Sequence, residues 1–357
     1  MIADSLRLAK FFCALAVKEK FLPRLHVRPL VAELFLTDNC NLKCISCACW
    51  RTRTLKELDT DEWKAVIDQI AELGIVKANF TGGEPLLRSD APELIRYARD
   101  SGIHSLHLNS NAILLDQRRR TRVLDAGIRS FNISVDGADS ETHEAIRGVP
   151  GSFDKTIRNL QELIALRKEY DIAIRMNFTV MRSNIANLPA IAELAQSLDV
   201  KLYLNLATDH TFLFRDQQVT GEAQIDQPEV DAALKALEVL LRRRRDGLPR
   251  YAELAYLRRH FTSLVQTDLP CAESQLKLMI HSTGGVGGCW GHDPHHNVRT
   301  TSLREIVDGE DYKDEHTRLF RKDCVGCGSN YALNLRWRGS SYMDDLCWRF
   351  GLKRLGR

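Results

Sequence analysis

The stretch VAELFLTDNCNLKCISC, residues 31–47, runs from a strand straight into a cysteine loop. Val31–Thr37 is apolar and of strand length, and Cys40, Cys44 and Cys47 follow with three and two residues between them. Three thiols so spaced can wrap one metal centre. A structural zinc takes four ligands, and a cubane iron–sulfur cluster takes four cysteines as a rule. Three cysteines would leave one iron open to bind something else. Zinc with Cys49 as fourth ligand is the alternative.

Beyond this stretch the chain alternates. Helices are expected at Thr60–Leu73, capped by Thr60, and at Ala91–Asp100, Leu114–Ala126, Phe153–Lys168 and Asn184–Ser197. Strands are expected between them at Ile75–Phe80, His104–Leu108, Arg129–Val135, Ile172–Val180 and Lys201–Leu206. Six strands separated by helices imply an α/β fold with parallel pairing and right-handed crossovers. Ligands of such sheets gather at the carboxyl ends of the strands. The expected organisation is an amino-terminal helical segment over 1–30, an α/β core over 31–210, a helical bridge over 211–268 and a small domain of short strands over 269–357.

Composition excludes several classes. The 357 residues are 44% hydrophobic and 27% charged, which excludes disorder as the main state. A net charge of +3 does not announce a nucleic-acid partner. The longest apolar run near the start, Phe11–Val17, has seven residues, whereas a membrane-spanning helix needs about 20. Nine of the ten cysteines fall into two groups, four in residues 40–49 and five beyond residue 270, with none in residues 50–270. Without a convincing signal peptide, that clustering points to a reducing cytoplasm and to metal or redox chemistry.

A second motif, Phe80-Thr-Gly82-Gly83-Glu84-Pro85, follows the second strand. Paired glycines let a backbone approach a ligand closely, Glu84 can accept hydrogen bonds, and Pro85 stiffens the loop exit. Together, the C-x3-C-x2-C loop and the GGEP loop resemble the radical S-adenosylmethionine (SAM) enzymes. The resemblance continues through Asn109-Ser110-Asn111, Ser134-Val135-Asp136-Gly137 and Asn177, and covers roughly residues 30–210. It implies a partial (β/α)6 TIM-like barrel in which Cys40, Cys44 and Cys47 hold a [4Fe–4S] cluster. The fourth iron would be chelated by the amino and carboxylate groups of SAM, whose reductive cleavage gives a 5′-deoxyadenosyl radical. The implied SAM contacts are Gly82, Gly83, Glu84, Pro85, Asn109, Asn111, Ser134, Asp136 and Asn177. Arg147 is a candidate carboxylate partner, because a guanidinium suits bidentate recognition; an exposed helix arginine is the other reading.

Cys271, Cys289, Cys324 and Cys327 read as a second four-thiolate site, with a zinc ribbon as the alternative. This segment resembles the twitch form of the SPASM extensions of radical SAM enzymes, and its spacing is similar to that of the butirosin-pathway aminocyclitol dehydrogenase. That implies one auxiliary [4Fe–4S] cluster. Cys49 and Cys347 are expected to be structural. The His292, His295 and His296 turn is expected to be solvated, and Arg242–Arg245 to end a helix where cations suit the dipole. Asp209 and His210 follow the sixth strand as candidate bases. The first helix carries Leu8, Phe12 and Leu15 along one stripe; docking on the barrel is expected, with contact to a membrane surface as the alternative.

The expected function is therefore oxidation or rearrangement of a small sugar, alcohol or aminocyclitol by radical SAM chemistry. A flavodoxin- or ferredoxin-type donor would supply the electron. The alternative substrate is a peptide, and the weaker alternative is a non-catalytic iron–sulfur or zinc protein.

Overall fold

The computed structural model describes residues 2–51, 56–208, 221–243, 247–249, 254, 257–258, 260–261, 270–289 and 292–321. Six strands carry the core: β1 (Val31–Phe35), β2 (Lys77–Thr81), β3 (Ser105–Ser110), β4 (Ser130–Ser134), β5 (Ala173–Val180) and β6 (Lys201–Leu206). Neighbours pair in parallel and in sequence order. The order bears out the partial (β/α)6 reading.

Helices α1 (Ile2–Lys20), α2 (Thr60–Glu72), α3 (Ala91–Asp100), α4 (Gln117–Ala126), α5 (Ser140–Arg147), α6 (Ser152–Ala165), the single turn α7 (Arg167–Tyr170) and α8 (Leu188–Ser197) connect or flank the strands. Most expected bounds hold within a few residues, and β6 holds at both ends. Three differences have physical causes. Asp59, not Thr60, caps α2: its side chain accepts the Glu62 N–H at 2.9 Å while Glu62 accepts the Asp59 N–H, closing a capping box. Asp116 caps α4 by accepting the Arg119 N–H at 2.9 Å, so that helix starts at Gln117 rather than Leu114. The extra helix α5 is not expected from the βα alternation, because no strand separates it from α6; Asp139 caps it and Gly148 ends it in the left-handed region.

Strand side chains alternate strictly. Leu34, Phe80, Leu106, Leu108, Phe131, Ile133, Met176, Phe178, Leu202 and Leu204 are buried with the helices in one apolar core. Because successive side chains point to opposite faces, Glu33, Asn79, His107, Asn109, Asn132, Arg175, Asn177 and Tyr203 fall on the inner face. The sheet thus encloses a polar interior within an apolar shell.

The chain re-enters this sheet later. After α9 (Gln227–Arg243), which packs on α8, the single turn α10 (Glu273–Leu276) leads into β7 (Lys277–Ile280). Strand β7 pairs in parallel with β1, on the side away from β2. Strands β8 (Gly285–Gly287) and β9 (His296–Asn297) extend it antiparallel, and α11 (Leu303–Asp308) and α12 (Glu310–Phe320) follow. The sheet therefore continues past the boundary expected near residue 210.

Leu8, Phe11 and Leu15 of α1 are buried with Val31, Val76, Ala272, Leu276 and Phe320. The helix docks at the amino end of β1, with Phe11 deeper than Phe12. Phe21 and Leu22 stay exposed at its end. No helix among the described residues is long and apolar enough to cross a membrane.

Leu15 is fully buried, so Leu15→Ala should lower the unfolding free energy by about 2–5 kcal/mol, the usual range for such a cavity. Urea denaturation followed by circular dichroism measures it. A change below about 0.5 kcal/mol, the scale of surface substitutions, would mean that α1 is not part of the folded core.

Candidate functional site

The loop after β1 is held from two sides. On one side the loop after β2 lies against it. Gly83 N–H donates to the Thr37 carbonyl at 2.7 Å and Glu84 N–H to the Asn39 carbonyl at 2.8 Å. A Cβ on Gly82 would lie 2.3 Å from the Thr37 oxygen, and one on Gly83 would lie 2.2 Å from the Asn39 oxygen. Gly82 also has φ of +136°. Only glycine permits this approach, which explains the paired glycines better than any turn preference does. On the other side, Lys43 and Ile45 N–H groups donate to the Arg147 and Ile146 carbonyls, both at 3.0 Å. The carboxyl end of α5 therefore clamps the middle of the cysteine loop.

Cys40, Cys44 and Cys47 line one cavity of about 360 Å³. Gly82, Gly83, Asn109, Asn111, Ser134, Asp136, Arg147 and Asn177 share its wall. Residues scattered from Cys40 to Asn177 are thus brought to the carboxyl ends of five neighbouring strands. Cys49 and Trp50 line the same cavity. The Trp50 indole N–H donates to the Cys44 carbonyl at 3.2 Å, so the ring braces the loop. Among the described residues, no three His, Cys, Asp or Glu side chains close on a point that could hold a single metal ion.

Glu84 and Pro85 are not on that wall. Glu84 is fully buried, and its carboxylate accepts from Leu86 N–H, Asn111 N–H and the Ser110 hydroxyl at 3.1, 2.9 and 2.9 Å. It ties the loop after β3 to the loop after β2. The resemblance implies a SAM contact for Glu84; here its carboxylate bonds to Leu86, Ser110 and Asn111.

Arg147 is buried rather than exposed. One guanidinium nitrogen meets Asp136 at 2.6 Å and another lies 3.7 Å from the Cys44 sulfur. Its Nε has no hydrogen-bond partner among the described residues. Burial works against its charge, but Asp136 and the neighbouring thiols outweigh burial and raise its pKa above the ordinary arginine value. Burial pushes the three thiols upward, Cys40 to about 12. For Cys47 the hydrogen bond with Cys49 is the largest cause. Asp209, His210, Cys324, Cys327 and Cys347 lie outside the described residues.

The expected list also misses cavity residues. Glu33, Asn132, Tyr203, Asn205 and Lys277 also line the cavity. Their signal was in the sequence: strands such as Lys201-Leu-Tyr-Leu-Asn-Leu206 alternate polar and apolar although helices cover the outer face.

Burial pushes the Glu84 carboxyl up to about 7 from an ordinary value of 4.5, against the pull of its hydrogen bonds. Its folded pKa exceeds its unfolded one, so the folded state holds the extra proton between them, and stability falls as pH rises through that window. Glu84→Gln should flatten this fall between about pH 4.5 and 7, an effect of a few kcal/mol. Urea midpoints of the metal-free chain across that range measure it; identical pH profiles for both chains would refute the assignment.

Residues 34–195 match the Radical SAM superfamily. An AdoMet-dependent heme synthase of Methanosarcina barkeri is 35% identical over 170 residues, which are 47% of each chain. A PqqA peptide cyclase of Rhodopseudomonas palustris is 34% identical over 173 residues, 48% of this chain and 45% of that one. The chain spans about half the length of these curated relatives. Among solved structures, Streptococcus suis SuiB bound to S-adenosylmethionine superposes with a TM-score of 0.63 at 16% identity, covering 90% of this chain and 75% of that one. The AdoMet-bound anSMEcpe gives a TM-score of 0.63 at 16% identity and covers 91% and 96%. At such identities the structures speak for the fold alone. Strand order, cysteine loop and sequence match agree, and residues 34–195 of this chain form a radical SAM domain.

Proposed function

We propose that this chain cleaves SAM reductively at a [4Fe–4S] cluster held by Cys40, Cys44 and Cys47, and that its substrate is a peptide. The observation that carries the first half is the shared cavity: three thiols, the Gly82–Gly83 edge and the polar ends of four further strands face one space. The donor set fits the group. Each thiolate of a cubane binds its own iron, so its ligands ring a cluster and need not meet at one ion. The bound cluster and SAM would supply an electron and a 5′-deoxyadenosyl radical that abstracts hydrogen.

This chain's own residues would do the holding. Gly82 and Gly83 offer backbone to the SAM ammonium, and Ser134 and Asn177 offer side chains to the ribose. The unpartnered Arg147 Nε is a donor for the carboxylate, while the same guanidinium keeps positive charge beside the Cys44 sulfur. Asp136 holds Arg147 in place.

For the substrate, the relative named as a PqqA peptide cyclase favours a peptide over the sugar or aminocyclitol expected from sequence. A tetrapyrrole is the second reading, favoured by the heme synthase relative. A second cluster on Cys271, Cys289, Cys324 and Cys327 is part of the proposal. Two observations support it. Cys271 N–H donates to the Phe320 carbonyl at 2.8 Å, and Gly288, next to Cys289, lies against the His316 ring. Both cysteines thus neighbour α12, and Cys324 follows its last residue by four positions. A flavodoxin- or ferredoxin-type partner in the cytoplasm would supply the electron.

Anaerobic reconstitution should give about eight iron per chain, two cubanes. A triple Cys40, Cys44 and Cys47→Ala variant should keep about four and release no 5′-deoxyadenosine from SAM under dithionite. Equal release by the variant, or stoichiometric zinc in the wild type, overturns the cluster assignment. For the substrate, the reconstituted protein is offered a uniformly deuterated peptide digest or deuterated monosaccharides. Deuterium should enter 5′-deoxyadenosine from the peptides; label from the sugars alone would return the substrate to the small-molecule class.

A further inference from the structure

The cavity does not end at the cysteine loop. It continues down the inner face of the sheet, where Asn132 of β4, Tyr203 and Asn205 of β6, and the Glu33–Lys277 pair of β1 and β7 line it. Asn132 stands opposite Asn109 in register, and Tyr203 stands opposite Asn177. Asn132 lies two residues before Ser134 on the same face of β4, one strand repeat or about 7 Å deeper. The patch therefore adjoins the residues assigned above to SAM: Asn132 lies one repeat below Ser134, Tyr203 is level with Asn177, and Asn205, opposite Thr179, lies one repeat nearer the carboxyl end.

We propose that Asn132, Tyr203 and Asn205 form a substrate-reading patch that takes an uncharged peptide group, deepening the peptide reading on which it rests. Three observations argue for it. First, the Asn132 Oδ1 is buried and has no hydrogen-bond partner among the described residues. An unsatisfied buried carboxamide oxygen is costly in the protein alone, and a ligand that supplied the missing bond would recover that cost. Second, the cations on the cavity wall are already committed. Lys277 meets Glu33 at 3.0 Å and Glu273 at 3.1 Å, and Arg147 meets Asp136 at 2.6 Å. A substrate carboxylate on Lys277 would compete with Glu33 and Glu273, and Arg147 is assigned above to SAM, whereas a neutral group needs neither cation. Third, the groups left on the patch match a peptide unit. A carboxamide donates and accepts at once, as a peptide N–H and C=O do, and a phenol can do either. The Tyr203 ring is braced by the Arg175 guanidinium, 5.6 Å from its centroid, so its hydroxyl is presented on a fixed ring.

The same arrangement disfavours the tetrapyrrole reading at this depth. A macrocycle carrying carboxylates asks for free cations on the wall, and Lys277 and Arg147 are each ion-paired. A sugar could use the carboxamides, so it remains an outcome that the test must separate.

The test uses the reconstituted full chain loaded with S-adenosylhomocysteine. The probes are N-acetylglycine N-methylamide, acetate and glucose, read by saturation-transfer NMR. The amide should bind and the other two should not. Asn132→Leu should weaken the amide by about five- to tenfold, the scale of one lost hydrogen bond with its desolvation, and Tyr203→Phe should weaken it by less. Circular dichroism shows whether each variant folds, and Tyr203→Phe stands in if Asn132→Leu does not. The proposal falls if the amide gives no saturation, if acetate or glucose binds as well, or if both variants bind the amide like wild type. It also falls if SAM affinity drops in proportion, since the patch would then belong to the SAM site. Failure of the wild-type chain to bind SAM at all would instead remove the underlying radical SAM assignment.

Discussion

Two backbone hydrogen bonds, from Gly83 and Glu84 to the carbonyls of Thr37 and Asn39, form the seam on which the site depends. They join the loop that carries the cysteines to the loop after the neighbouring strand. The seam works only because two glycines leave room for carbonyl oxygens where side chains would stand. From that seam order spreads outward. Glu84 reaches on to Ser110 and Asn111 of the next loop, and Asn111 Nδ2 returns to Asn41 of the first at 2.7 Å. Three loops are thus stitched into one rim by short polar contacts, most of them to backbone.

The buried pair Asp136–Arg147 closes the far side of the rim. Such a pair is weak evidence for stability, since desolvation offsets much of the attraction. Here it has a geometric use. Asp136 also accepts the Thr179 N–H at 2.9 Å, so the pair links β5, the loop after β4 and α5, whose end clamps the cysteine loop. The glycine seam and the ion pair hold the same loop from opposite directions, and the thiols sit between them.

Much of this was legible in the sequence. The six βα units, their parallel order and the grouping of Cys40, Cys44 and Cys47 with the loops after later strands follow from periodicity and motif position. What was less legible has physical causes. Glu84 looks like a ligand group because sequence shows its charge and not its burial. Arg147 looks like a surface cation because its partner, Asp136, lies eleven residues away across a turn. The polar wall of Glu33, Asn132, Tyr203, Asn205 and Lys277 was hidden by reading each strand for its apolar members, when the polar half of the alternation marked the enclosed side. The return of the chain as β7 carries no local signal, because pairing with β1 is a contact across some 250 residues.

That return has a consequence for where this protein can be divided. Strand β1 is an interior strand only because β7 covers its outer side. A chain ended after β6 would leave unpaired those N–H and C=O groups of Val31–Leu34 that face β7, on a strand with four apolar residues of five. Uncovered edges of that kind template pairing with other chains and lead to aggregation. The segment recognisable by homology and the segment able to fold as a soluble unit are therefore different lengths of chain. Any excised version of the domain must carry its own replacement for the seventh strand.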